Sequence, residues 1–139
     1  MVRRRGPTWE PKSEDYLRVF AEQNPWHLTG EVPLVWAREV ERPLAKYLPN
    51  RLQSDSPRRF QLILGPRRVG KTTSLYQTVR GLLATGVPKR RLWWLRLDHP
   101  LLMQIDLGQL IRYVLNVSHA TPDEPTYLFL DNDFAAWVY

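Results

Sequence analysis

The chain has 139 residues, a formal net charge of +6 and no cysteine, and 43% of its residues are hydrophobic. This length favours one domain with its own core over two, and the lack of cysteine excludes disulfides, thiolate-bound zinc and cysteine nucleophiles. No apolar run approaches the roughly 18 residues that a membrane-spanning helix needs. The three arginines at 3–5 are not followed by an apolar run, so the N-terminus does not resemble a signal peptide. We therefore expect a folded, cytoplasmic protein without a membrane partner.

Basic clusters supply much of the positive charge, at 3–5, 58–59, 67–68 and 89–91. A basic surface attracts nucleic acid by releasing condensed counterions. Runs of charge nevertheless form solvated faces more often than binding sites. Nucleic-acid binding through the arginine clusters therefore stays open as an alternative function.

Residues 1–57 are predicted to form a mostly helical N-terminal extension, interrupted by seven prolines. Ser13 is a suitable N-cap for a short helix that ends at Asn24-Pro25. Leu17, Phe20 and Ala21 share one face of this helix.

A second helix of the extension is predicted near residues 36–48, where apolar side chains follow helical spacing. Pro43 lies inside this stretch. It either kinks the helix or occupies the first turn of a shorter one, and the sequence leaves both possibilities open.

Residues 58–139 are predicted to form a partial α/β domain. Short apolar strands alternate with amphipathic helices, with strands at 60–64, 92–97 and 127–131 and helices at 71–85 and from Asp106 onward. This alternation is typical of a parallel sheet with right-handed crossovers. We expect an incomplete three-layer core.

The stretch between the first strand and its helix reads Gly-Pro-Arg-Arg-Val-Gly-Lys-Thr-Thr and matches the Walker A pattern at every specified position. Glycines let the loop wrap with its N–H groups inward, and the following helix N-terminus favours anions. The lysine reaches the β- and γ-phosphates of a nucleotide. The candidate phosphate-binding residues are Gly65, Pro66, Arg67, Arg68, Val69, Gly70, Lys71, Thr72 and Thr73.

A candidate metal site is formed by Thr72 and Asp131. The strand Tyr127–Asp131 has four apolar residues followed by an acid, which is the Walker B pattern when it follows a full Walker A. Hydroxyl and carboxylate oxygens are ligands that Mg²⁺ prefers.

Asp98-His99-Pro100, after the second strand, is interpreted as a turn because Asp and Pro are ordinary turn residues, with a site loop as the alternative.

The stretch from Arg58 to Asp131 resembles the AAA+ type ATPases of bacteria and archaea whose P-loops read Gly-Pro-Arg-x-Val-Gly-Lys-Thr-Thr. The resemblance implies ATP rather than GTP as the ligand. It also implies a five-stranded sheet in which a sensor strand lies between the P-loop strand and the Walker B strand, and a homo-oligomer if the domain is completed.

The sequence departs from that family in two places. Asn132 stands where the family has a glutamate that polarises water, and an amide cannot act as a general base. The chain ends at Tyr139, so the sensor strand, arginine finger and helical lid have no residues. The tail 132–139 is not expected to complete the sheet, which leaves the apolar side chains of 137–139 without a place. We therefore expect a truncated ATPase with weak or absent hydrolysis and assign no catalytic residue.

Three other functions compete with this interpretation. A basic nucleic-acid-binding module would use the arginine clusters. A complete phosphotransferase or GTPase is disfavoured because the chain lacks Asn-Lys-x-Asp and leaves little room for an acceptor site. A gene fragment without a stable fold is the third.

Overall fold

The computed structural model describes residues 13–53, 61–64, 71–119, 121, 126–131 and 135–138. The α-helices in this part are α1 Ser13–Gln23, α2 Trp26–Thr29, α3 Leu34–Ala37, α4 Pro43–Leu52, α5 Lys71–Ala84 and α6 Leu107–Val117. The strands are β1 Gln61–Leu64, β2 Leu92–Arg96, β3 Tyr127–Asp131 and β4 Ala135–Val138. Two 3₁₀ turns lie at Lys89–Arg91 and Leu102–Gln104.

The first helix of the extension lies where the sequence predicts it, but its buried face is different. Phe20 is buried as expected, whereas Leu17 is 44% exposed and Val19 takes its place in the core. Polar Gln23 is also buried, because its side chain pairs with the sheet. Leu17 and Ala21, which share a face with Phe20 by spacing, are both exposed, and a face chosen by hydrophobicity alone omits polar contacts such as that of Gln23.

The second predicted helix is divided in the structure into two short helices, α3 and α4. Pro43 occupies the first turn of α4, where the missing N–H leaves no intrahelical bond unmade. The shorter-helix alternative is therefore confirmed. Between α3 and α4 the backbone passes through Arg38 at φ 64, and Gln77 of α5 holds this connection by donating to Ala37 O and Val40 O at 2.7 Å.

The helices that follow the first two strands begin and end as predicted. α5 ends before Gly86, whose φ of 99 lies in the region that glycine tolerates without strain. α6 begins after Asp106, whose side chain accepts from Gln109 N at 3.3 Å and so satisfies one of the free donors of the first turn.

The strands form one sheet in the order β1-β4-β3-β2. β2 and β3 are parallel, with Leu92 opposite Tyr127 and Arg96 opposite Asp131. β4 is antiparallel to both of its neighbours, so β1 runs in the same direction as β2 and β3.

The tail enters the sheet, which corrects the expectation that it would not. Trp137 lies opposite Leu62 on one side and Leu130 on the other. Three residues separate β3 from β4, which suits a hairpin, while a parallel neighbour needs a crossover of a dozen or more residues. The segment 135–138 therefore lies where the resemblance placed a sensor strand, but in the opposite direction. Asn132 and Tyr139 lie outside the described residues.

Buried side chains form one cluster on each face of the sheet. Leu92, Trp94 and Phe129 pack with α5 on one face, while Trp93, Leu95 and Leu128 pack with α1 and α6 on the other. This alternation along each strand confirms the mixed α/β class. The three-layer P-loop core stays a prediction, and the predicted boundary at residue 57 lies outside the described residues.

The outer edge of β2 is covered by side chains from Gln23 to His27. Asn24 donates to Trp94 O at 2.9 Å and accepts from Trp94 N, and Gln23 accepts from Arg96 N at 2.9 Å. Trp26 Nε1 donates to Leu92 O at 2.9 Å. We call this set of contacts the edge cap. It satisfies backbone groups that an exposed edge strand leaves open to other strands.

None of the helices in the described ranges is long and apolar enough to cross a bilayer.

Candidate functional site

The first turn of α5 carries the described part of the Walker A motif. The 14-residue helix begins with Lys71, Thr72 and Thr73. Six residues separate the end of β1 from its first residue. The N–H groups of a first turn have no intrahelical acceptor, and the helix dipole places partial positive charge there. This end of α5 is therefore suited to bind an anion. Gly65, Pro66, Arg67, Arg68, Val69 and Gly70 lie outside the described residues.

Asp131 brings the second motif to the same place. It is the last residue of β3 and only 7% exposed. Lys71 and Thr72 both interact with its carboxylate, and each favours the charged form. The structure thus brings together three predicted site residues, Lys71, Thr72 and Asp131. Thr73 follows in the same helical turn.

The environment of Asp131 disfavours its charged form. Burial raises the pKa of this carboxyl from 3.8 to about 6, and the negative charge of Asp98 acts in the same direction. The cations of Lys71 and Arg96 and the Thr72 hydrogen bond oppose the rise without cancelling it. Such a carboxylate is stabilised by any cation that replaces its lost hydration.

Arg96 and Asp98 extend the site across the end of β2. Sequence reasoning missed Arg96 as a site residue and gave Asp98 a place in a site loop only as the alternative to a turn. Arg96 lies opposite Asp131 in the register, and Leu97 N donates to Asp131 O at 2.8 Å. The Arg96 guanidinium forms an ion pair with Asp98 Oδ2 at 3.4 Å. The signal for Asp98 was its place directly after a buried parallel strand, where ligands bind in open α/β sheets.

Aromatic rings fix α5 over the sheet below the site. Tyr76, one turn after Thr72, stacks on Trp94 with ring centroids 4.0 Å apart, and Trp94 stacks on Phe129 at 5.9 Å. Burial raises the pKa of the Tyr76 hydroxyl, and the charge of Asp131 raises it further, so Tyr76 stays neutral. This packing determines how far the first turn of α5 lies from the strand ends.

The comparisons with known proteins identify the family that this chain matches. A family model described as "AAA domain" matches residues 57–132, which is more than half of the chain and spans β1 to β3. No curated protein and no solved structure matches the chain.

Proposed function

The chain belongs to the AAA domain family, and we propose that it binds ATP together with Mg²⁺ at the carboxyl ends of β2 and β3. The observation that carries this proposal is the meeting of Lys71 and Thr72 with the buried carboxylate of Asp131. A basic side chain, a hydroxyl and a carboxylate at a helix N-terminus are the groups that an Mg²⁺-bound triphosphate requires.

Each residue has a separate role in this proposal. The backbone N–H groups of the first turn of α5 and the Lys71 ammonium would hold phosphate oxygens, and Thr72 and Asp131 would hold the metal. Asp131 Oδ1 is buried and has no hydrogen-bond partner among the described residues, so these residues fit a cation. A cation held by these residues would supply positive charge that offsets part of the charge of the phosphates.

We further propose that hydrolysis is weak or absent. The residue after Asp131 is Asn132, and its amide cannot take a proton from water as a carboxylate does. The chain would then bind ATP with little or no turnover.

The Lys71→Ala substitution tests the nucleotide site. A fluorescent ATP analogue titrated against the full chain should bind the variant about 10–100-fold more weakly, because one charge-assisted contact is lost. Lys46→Ala, at an exposed position of α4, is the matched control and should bind as the wild type does. Unchanged affinity in Lys71→Ala would contradict the proposal. Duplex DNA binding that survives in this variant would favour the nucleic-acid-binding alternative.

A further inference from the structure

We propose that Asp98 is a second carboxylate of the metal site, which holds the divalent cation together with Asp131 and Thr72. This inference rests on the proposed function, since the cation is the one that accompanies the nucleotide. Neither the Walker A nor the Walker B pattern includes Asp98, which follows a different strand from Asp131.

The two carboxylates lie on the same side of the sheet. Residues 92 and 94 of β2 and residues 127 and 129 of β3 pack on the α5 face. Because side chains alternate along a strand, Arg96 and Asp131 project toward α5 as well. Asp98 follows two residues later, and its Oδ2 contacts Arg96 at 3.4 Å. Leu97, the residue before Asp98, donates its N–H to Asp131 O at 2.8 Å, which places Asp98 beside the end of β3.

Unsatisfied oxygens point to a ligand between them. Four buried side-chain atoms in the described part of the chain have no hydrogen-bond partner. Two are neutral groups, Trp94 Nε1 and Thr126 Oγ1, and nothing in the structure explains them. The other two are Asp98 Oδ1 and Asp131 Oδ1. A buried carboxylate oxygen without a donor is costly, and one cation would compensate both.

The oxygen ligands of this pair fit magnesium, as they fit other hard divalent cations such as Ca²⁺ and Mn²⁺. Mg²⁺ is usually held by one or two carboxylates and by phosphate oxygens of the substrate. The described residues contain no group of three or more His, Cys, Asp and Glu that could hold a metal by themselves. The site would therefore bind the cation tightly only when a nucleotide supplies the remaining oxygens. Arg96 holds Asp98 Oδ2 and so orients Oδ1, in the way that outer contacts orient metal ligands.

The test measures Mn²⁺ binding to the full chain from the loss of the free Mn²⁺ signal in electron paramagnetic resonance. Titrations are run with Mn²⁺ alone and with a non-hydrolysable ATP analogue. Asp98→Asn keeps the shape of the side chain and should weaken Mn²⁺ binding by about tenfold or more. Asp131→Asn should weaken it likewise. Glu22→Gln, which removes a carboxylate exposed on α1, should bind as the wild type does.

Asp98→Glu is a second variant, because it retains the carboxylate and should lose less affinity than Asp98→Asn if Asp98 is a ligand. Wild-type Mn²⁺ affinity in a folded Asp98→Asn, beside a loss in Asp131→Asn, would overturn the role of Asp98 and leave the proposed function intact. A wild-type chain that binds no Mn²⁺ in either titration would overturn it too. Nucleotide binding measured in EDTA would then show whether the proposed function fails with it.

Discussion

The edge cap lies along β2, and the site with Lys71, Thr72, Asp98 and Asp131, which we call the strand-end site, lies where β2 and β3 end. Polar groups are paired in the first region and partly unpaired in the second. At the edge cap, the outward backbone groups of Leu92, Trp94 and Arg96 are paired with side chains from the extension. At the strand-end site, one oxygen of Asp98 and one of Asp131 stay unpaired. Because buried polar groups are nearly always hydrogen-bonded, the paired groups of the edge cap indicate a structural role, and the two unpaired carboxylate oxygens indicate a ligand.

The comparison predicts opposite effects on stability in the two regions. Removing a side chain from the edge cap should destabilise the protein, since it exposes an unmet hydrogen-bonding group. Neutralising a carboxylate at the site should stabilise the protein without its ligand.

The largest effect is expected for Asn24→Ala. Asn24 is 1% exposed and bonds Phe20 O, Trp94 O and Trp94 N. Its loss leaves both backbone groups of Trp94 unpaired, which should cost about 2–4 kcal/mol in the free energy of unfolding. Thermal unfolding followed by circular dichroism should show a melting temperature lower by roughly 10 °C.

Asn116→Ala is the matched control for this substitution, because Asn116 is exposed on α6. It should change the free energy of unfolding by no more than about 0.5 kcal/mol. An equal effect in the two variants would show that the edge cap does not carry the stability assigned to it.

Asp131→Asn should act in the other direction. The folded-state pKa of about 6 lies above the ordinary 3.8, so the folded protein binds this proton more tightly than the unfolded chain. The resulting stability is fully present below about pH 3.8 and is lost as the pH rises through 6. At pH 7.5 the ionised wild type should therefore be less stable than Asp131→Asn by about 1–3 kcal/mol.

Urea unfolding at pH 7.5 and at pH 4, without metal or nucleotide, measures this difference. The advantage of Asp131→Asn should shrink toward zero at the lower pH, where both side chains are neutral. A variant that is less stable than the wild type at pH 7.5 would mean that the Asp131 carboxylate is satisfied in the folded protein, like the groups of the edge cap.

The two regions also differ in how far the sequence predicts them. The start of α5 at Lys71 and the end of β3 at Asp131 follow from local spacing, because a strand, a glycine-bounded loop and a helix leave a contiguous pattern. That these residues meet follows from the parallel arrangement of β1 and β3. The sequence alone leaves open whether Asp98 is an ordinary turn residue or part of the site. Its neighbours across the sheet decide between the two, and local sequence does not show them.

The edge cap and β4 could not be predicted from local pattern. Asn24 and Trp94 are 70 positions apart, and a bond from a side chain to a distant backbone leaves no periodicity. The tail was excluded from the sheet because a parallel strand was assumed there. Its three-residue connection to β3 permits only the antiparallel direction, and pairing on both sides satisfies the backbone of 135–138.

The smallest effect is expected for Gln23→Ala, which tests whether the two regions are independent. Gln23 belongs to the edge cap, yet the N–H that it accepts is that of Arg96, whose guanidinium pairs with Asp98. Loss of this one hydrogen bond should lower the free energy of unfolding by about 1 kcal/mol. Mn²⁺ affinity should stay within about twofold, because Asp98 and not Gln23 orients the guanidinium. A larger loss of metal affinity would show that the edge cap positions the site through the end of β2. The two regions would then not be independent.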